Sequence, residues 1–283
     1  MPIINVNGAN LFYKESGRGD KYIVSGHMHV YEDGNYRLEL VKKGYHLIEV
    51  ELRGYGRSEH VTEDLGETWY DVWASDCCGV AKALGINEFI YTGLSHGAGV
   101  GWHILKNHSE VLLGFAGLVG GPHKRDGIKT GAARQRTIEA ASSEEGWLEY
   151  CHGFFKSDQM DFTPDMSEEE IVNLKKWHAE KYQCYRDMAY EERIISPKKP
   201  LPQIKTEEEL ISFLEKQTVP ALFIGGMKDT ISTTESMMRT AAAYGGSKTI
   251  MFNYGTHMVG AQYSGRVANE IDLFIKEGNL FTV

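Results

Sequence analysis

The chain is short of positive charge, proline and cysteine and has no long apolar run, and each shortage removes a class of protein. Lys and Arg number 30 against 39 for Asp and Glu, a formal net charge of −9. Wholesale binding to nucleic-acid phosphates or anionic lipid needs the opposite sign, because affinity there comes from cations that release counterions or meet lipid charge. The apolar stretches 112–119 and 219–224 fall well short of the ~20 residues that cross a bilayer, and they read as buried strands. The opening residues Met1-Pro2-Ile3-Ile4-Asn5-Val6 have neither a basic nor an extended apolar region, so no secretory signal is expected. Among the four cysteines, Cys77 and Cys78 are adjacent, and Cys151 and Cys184 match no metal spacing; reduced thiols of a cytoplasmic protein are expected. With only 7 prolines, 31 glycines and 42% hydrophobic residues, disorder and low-complexity arrays are excluded. What remains is a globule of 283 residues, long enough for one large α/β domain with an insertion. Its expected partner is a small-molecule substrate, with no nucleic acid and no membrane; a homodimer is left open.

Asn7-Gly8 between two apolar runs predicts a hairpin, since a two-residue turn needs positive φ at both central positions. Strands and helices then alternate: strands at 22–24, 46–50 and 89–92, helical spacing at 36–41 and 69–84. Such alternation demands a mostly parallel sheet with right-handed crossovers. After the strand at 112–121 about a hundred residues pass before the next credible strand at 219. Ser142, Ser167 and Thr206 each precede a Glu by three positions, the reciprocal box that satisfies free N–H groups at a helix start. Helices are therefore expected near 143–156, 167–187 and 206–216, with Pro197, Pro200 and Pro202 forming a linker. The expected division is a core of 1–121 and 217–283 and a helical cap of 122–216. A helix opened by Ser232 and Glu235, a strand at 249–252 and a final helix at about 263–276 complete the chain.

The stretch Thr92-Gly93-Leu94-Ser95-His96-Gly97-Ala98 matches G-x-S-x-G, directly after an apolar strand and directly before a helix. Glycines without a Cβ allow the strained strand-to-helix turn that lifts Ser95 above the sheet edge. A serine hydroxyl is a weak nucleophile and needs a base, itself oriented by a third group. Asp229, just past the strand at 219–225, and His257, just past that at 249–252, follow Ser95 in the order such a triad takes on this kind of sheet. Asp126 is the reserve acid. His27, His29, His96 and His103 cluster in sequence, and imidazole suits zinc, but without paired spacing or a carboxylate partner no metal is expected. Candidate pocket residues are His29, Tyr31, Trp102, Trp147, Trp177 and Met258, with Phe154 and Phe155 of the cap as further aromatic candidates.

With these motifs the chain resembles α/β-hydrolase-fold serine hydrolases over nearly its whole length. Leu52-Arg53-Gly54-Tyr55-Gly56-Arg57-Ser58 is similar to a loop of that family and reads as turn chemistry near the site. The family usually carries His-Gly after the third strand; here Ser25-Gly26 stands in its place. The resemblance implies an eight-stranded-type, mostly parallel sheet with helices on both faces. It implies the backbone N–H groups of His27 and His96 as oxyanion donors, and ester, lactone or related acyl hydrolysis with no cofactor. Dehalogenases and epoxide hydrolases of this fold carry Asp where Ser95 stands. Carbon–carbon bond hydrolases of ring-cleavage pathways, and cofactor-free dioxygenases on the same fold, are the alternatives; a ligand receptor is a third class. The elbow is similar to that of enol-lactonases, for which the insertion looks large.

Overall fold

The computed structural model describes residues 2–32, 35–154 and 161–281. Strands β1 (Ile3–Val6) and β2 (Ala9–Ser16) form the expected hairpin, with Asn7 at φ 51° and Gly8 at φ 75°. The core continues with β3 (Tyr22–His27), α1 (Tyr36–Lys42), β4 (His46–Glu51), α2 (Trp69–Ala83), β5 (Phe89–Leu94), α3 (His96–Asn107) and β6 (Leu112–Leu118). A helical cap region follows: α4 (Ala132–Ala140), α5 (Glu144–Phe154), α6 (Glu168–Arg186), α7 (Tyr190–Arg193) and α8 (Glu207–Glu215). The sheet resumes with β7 (Ala221–Gly226), α9 (Thr234–Ala243), β8 (Ser247–Phe252), α10 (Val259–Gln262) and α11 (Ser264–Glu277).

The eight strands run in the order β1-β2-β4-β3-β5-β6-β7-β8, antiparallel in the first two pairings and parallel in the rest. Parallel strands covered on both faces have no polar side, which is why every residue of β7 and nearly every residue of β5 and β6 is buried. On one face Trp73, Trp102, Phe115 and Phe223 pack with α2 and α3; on the other Ile90, Leu222, Val267 and Ile271 pack with α11. Among the described residues no helix is long and apolar enough to cross a membrane.

Sequence expectations hold for the boxes at Ser167 and Thr206, where hydroxyl and Glu side chain satisfy each other's N–H groups. They fail by one residue at two other caps. The Gly146 N–H is accepted by Ser143 Oγ, not by Ser142, and with Gly146 in the third helical position no side chain is present to close a box. Helix α9 is capped by Thr233, because Ser232 is engaged elsewhere: its Oγ donates to the Val119 carbonyl at 2.6 Å. Residues 155–156 of the expected helix at 143–156 lie outside the described residues, as do Phe155 and the side chain of Phe154. Helix α4 was not expected, since only Thr137 of its nine residues is buried and its cap residue, Gly131, has no side chain.

The proline linker that returns the chain from cap to core is held by one imidazole. Leu201, fully buried at φ 59°, donates its N–H to His103 Nε2 at 2.8 Å, while His103 Nδ1 donates to Asp71 at 2.7 Å. Both ring nitrogens are thus committed to the neutral form, and burial holds the imidazole below the ordinary histidine range despite Asp71. His103→Leu leaves the Leu201 N–H without an acceptor and should lower unfolding free energy by about 1–3 kcal/mol in urea titrations. In the unfolded chain the imidazole takes up a proton below about pH 6.5, whereas folded His103 resists it, so stability falls as pH drops through that value. The variant should lose part of this acid sensitivity; an unchanged slope between pH 7 and 5 would contradict the role given to His103.

Candidate active site

Three loops at the carboxyl edge of the sheet converge. Ser95 follows β5 at φ 53°, ψ −106°, a conformation in which its side chain cannot cap its own helix. A Cβ on Gly93 would lie 2.3 Å from the Gly97 carbonyl carbon, and one on Gly97 would lie 2.6 Å from the Gly26 carbonyl oxygen. Strand, turn and helix can pass this closely only because both positions lack a side chain. The Ser95 N–H donates to Leu118 at 2.9 Å, tying the turn to the end of β6.

His257 Nε2 lies 2.8 Å from Ser95 Oγ, and His257 Nδ1 lies 2.8 Å from Asp229 Oδ2. The other Asp229 oxygen accepts the N–H groups of Ile231 and Ser232 at 2.7 and 3.0 Å, so the carboxylate is buried with its free lone pairs satisfied. With Nδ1 donating to a carboxylate, Nε2 is left as acceptor for the serine proton; this tautomer follows from the partners. Asp126, the reserve acid, is instead paired with Lys199 at 2.8 Å. The end of β6 is strained as well: Val119 takes φ 42° and is pinned by its N–H to Ile224 and by Ser232 to its carbonyl.

Of the two residues expected to offer backbone donors, His96 is the first residue of α3, where the N–H groups have no intrahelical partner. His27 ends β3, next to the Gly26 carbonyl that abuts Gly97. Their side chains go elsewhere. His27 is buried with Nε2 unpartnered, 3.9 Å from Glu49, and burial keeps it far below the usual range. His96 accepts from Arg134 of α4 at Nε2 (2.5 Å), which leaves Nδ1 to meet the Tyr70 hydroxyl at 3.2 Å. Burial, then the Arg134 charge, hold this imidazole well below its ordinary range. His103 has the partners described above and His29 lies edge-on to Tyr55, so the four histidines do not share a ligand. Among the described residues no group of three or more His, Cys, Asp or Glu could hold a metal ion.

The pocket candidates divide. Tyr31, Trp177 and Met258 meet in one cluster between α6 and the loop after β8. His29 is buried beside Tyr55, with Nε2 unpartnered. Trp102, by contrast, is fully buried, stacked on Phe223 and donating to the Gly120 carbonyl, because its place on α3 faces the sheet. Trp147 likewise lies inside the cap, stacked between Tyr150 and Tyr185 and hydrogen-bonded to the Tyr185 carbonyl. The loop 52–58 does what turn chemistry requires: Arg53 pairs with Asp76, and Ser58 bridges the Glu51 carbonyl and the Phe12 N–H. Ser25 donates to the Thr92 carbonyl at 2.6 Å and joins β3 to β5. Sequence reading missed Arg134, and it missed Asp161 and Gln262, which brace Thr256 next to His257. It missed His123 too, which lies close enough to feel His257 and is pushed down to about 4, chiefly by burial.

Known structures share this arrangement of chain. An enol-lactonase from Burkholderia xenovorans superposes with TM-score 0.72 at 20% identity, covering 97% of this chain and 100% of that one. This is the α/β-hydrolase fold. An esterase from Thermogutta terrifontis (TM-score 0.71, 17% identity, 98% of each chain) and a bromoperoxidase from Bacillus anthracis (0.72, 18%, 97% and 99%) share it. In sequence, a non-heme haloperoxidase from Rhodococcus erythropolis is 28% identical over 123 residues, 42% of this chain and 44% of the relative, so the match spans less than half of that protein. No family model matches the chain.

The elbow packing gives a test. Gly93→Ala forces a methyl against the backbone of Gly97, where nothing can give way, and should lower unfolding free energy by about 1–3 kcal/mol or more. A urea midpoint equal to that of the parent would show that the crossing is looser than these contacts require.

Proposed function

We propose that the chain is a serine hydrolase that cleaves an ester, lactone or related acyl bond of a small, partly apolar molecule through an acyl-enzyme. The observation that carries this reading is the unbroken hydrogen-bonded line from Ser95 Oγ through His257 to Asp229, with 2.8 Å at each link. In this reading His257 Nε2 removes the serine proton as Ser95 Oγ attacks the carbonyl carbon, and then returns it to the leaving oxygen. Asp229 holds the ring and stabilises the imidazolium. Charge that develops on the carbonyl oxygen is met by the N–H groups of His96 and His27, donors that cost no reorganisation at the moment of reaction. Water, deprotonated by the same imidazole, resolves the acyl-enzyme. The cap, taken as 122–216 over a core of 1–121 and 217–283, closes the site from above and selects the substrate. An esterase and an enol-lactonase among the structural neighbours are in keeping with this chemistry.

Ser95→Ala should fold normally and lose roughly four to six orders of magnitude in turnover of a responsive ester. A fluorophosphonate should label the parent on the peptide holding Ser95; an adduct found only elsewhere removes Ser95 as nucleophile. Asp229→Asn keeps the shape of the acid but favours the wrong tautomer of His257, and should cost on the order of 10⁴ in kcat. If Asp229→Asn stays near the parental rate, the orienting group is not Asp229.

A further inference from the structure

Arg134 differs from the arginines that pair with acids. Arg37, Arg53, Arg57 and Arg193 each meet a carboxylate, respectively Glu49, Asp76, Glu51 and Glu144. Arg134 is partly buried and reaches from α4 onto His96, the residue after Ser95, yet among the described residues no carboxylate pairs with it. Its surroundings are the tyrosines Tyr55, Tyr70, Tyr150 and Tyr185. A guanidinium offers five N–H donors in a fixed fork. One donor is accepted by the neutral His96, and a cation in such a place without an opposite charge is costly unless a ligand supplies it. A second observation points the same way. The Tyr55 hydroxyl is fully buried beside Arg134, which acts on it by charge and as a donor, yet among the described residues no acceptor takes its proton. A buried hydroxyl whose proton has no acceptor, beside a cation with no carboxylate, forms one half of a carboxylate site, because a carboxylate accepts from both at once.

We propose that the substrate carries a carboxylate in addition to its scissile acyl bond, and that Arg134, with the Tyr55 hydroxyl, holds it next to Ser95. The inference rests on the hydrolase reading for its reaction, though the anion site itself does not. Arg134 binds the carboxylate by its fork, and His96 fixes the guanidinium through Nε2, so its imidazole serves as a positioning residue while its N–H faces the reacting carbonyl. The fork favours a planar anion over a neutral group of the same shape.

Two isosteric pairs test this on either side of the ester: monoethyl succinate against ethyl 4-methylpentanoate, and carboxymethyl butyrate against isobutyl butyrate. In each pair a carboxylate stands in place of an isopropyl group. The parent should prefer the acid in at least one pair by kcat/KM, with most of the difference in KM. Arg134→Gln should shrink that ratio by about 10- to 100-fold, and Arg134→Lys should restore part of it. Tyr55→Phe, which removes one oxygen only, should shrink it by roughly 3- to 10-fold and serves if Arg134→Gln does not fold. Calorimetric binding of the two acids to the Ser95→Ala protein separates the two readings. If no ester is turned over and Ser95 takes no phosphonate, but an acid binds and Arg134→Gln abolishes that binding, the hydrolase reading falls and the anion site stands. If neutral esters are turned over through Ser95 with no preference for the acid in either pair, the anion site is overturned and the hydrolase reading stands. Absence of both binding and preference overturns the anion site as well.

Discussion

Gly93 and Gly97 pass so closely that a methyl on the first would sit 2.3 Å from the carbonyl carbon of the second, and the layout of the sheet's carboxyl edge follows from that contact. A crossing this tight leaves Ser95 no ordinary backbone conformation and places it at φ 53° with its hydroxyl clear of its own helix. Strain of this kind persists only where neighbours over-determine it. Here the Ser95 N–H is taken by Leu118, the Gly26 carbonyl closes the other side, and the next turn, at Val119, is pinned by Ile224 and Ser232. Ser232 also donates its N–H to Asp229, so the turn after β6 and the loop bearing the acid are one hydrogen-bonded unit.

The cap region is joined to this edge at chemically different points. Asp161 accepts from Thr256 beside His257, and Gln262 donates to the Asp161 carbonyl; Arg134 donates to His96 beside Ser95; His103 receives the N–H of Leu201 in the returning linker. Two of these contacts reach residues adjacent in sequence to a member of the Ser95–His257–Asp229 line. These contacts therefore bear on the backbone that carries the line and not on its own hydrogen bonds. Neutral imidazoles do much of this joining. Burial keeps His96 and His103 uncharged, which leaves each one donor and one acceptor, and each uses both.

Much of the site was legible because its requirements are local. The elbow needs two residues without side chains, one on each side of a serine between a strand and a helix, and Gly93-Leu94-Ser95-His96-Gly97 states that in five letters. Asp229 and His257 were legible by order and by their places just past apolar strands. Pocket residues were not. Trp102 and Trp147 carry the same side chain as Trp177, but whether an indole faces a sheet, a cap interior or the seam near Met258 depends on how its helix is turned. Helix α4 was invisible for a related reason: it buries only Thr137, so its sequence has no apolar stripe to read.

The sequence by itself therefore determined the strand and helix alternation, the hairpin at Asn7-Gly8, the caps at Ser167 and Thr206 and the strand ends at which Ser95, Asp229 and His257 stand. Each of these depends on a short stretch whose backbone permits few conformations. Only the tertiary structure decided that Thr233 and not Ser232 caps α9, because Ser232 is claimed by the Val119 carbonyl, distant in the chain. It alone decided that an arginine from a polar helix would rest on the residue after Ser95, beside a buried tyrosine hydroxyl from far earlier in the chain. Nothing local links those residues; the folded sheet edge and the cap region bring them together, where burial makes a charge without a counter-charge consequential.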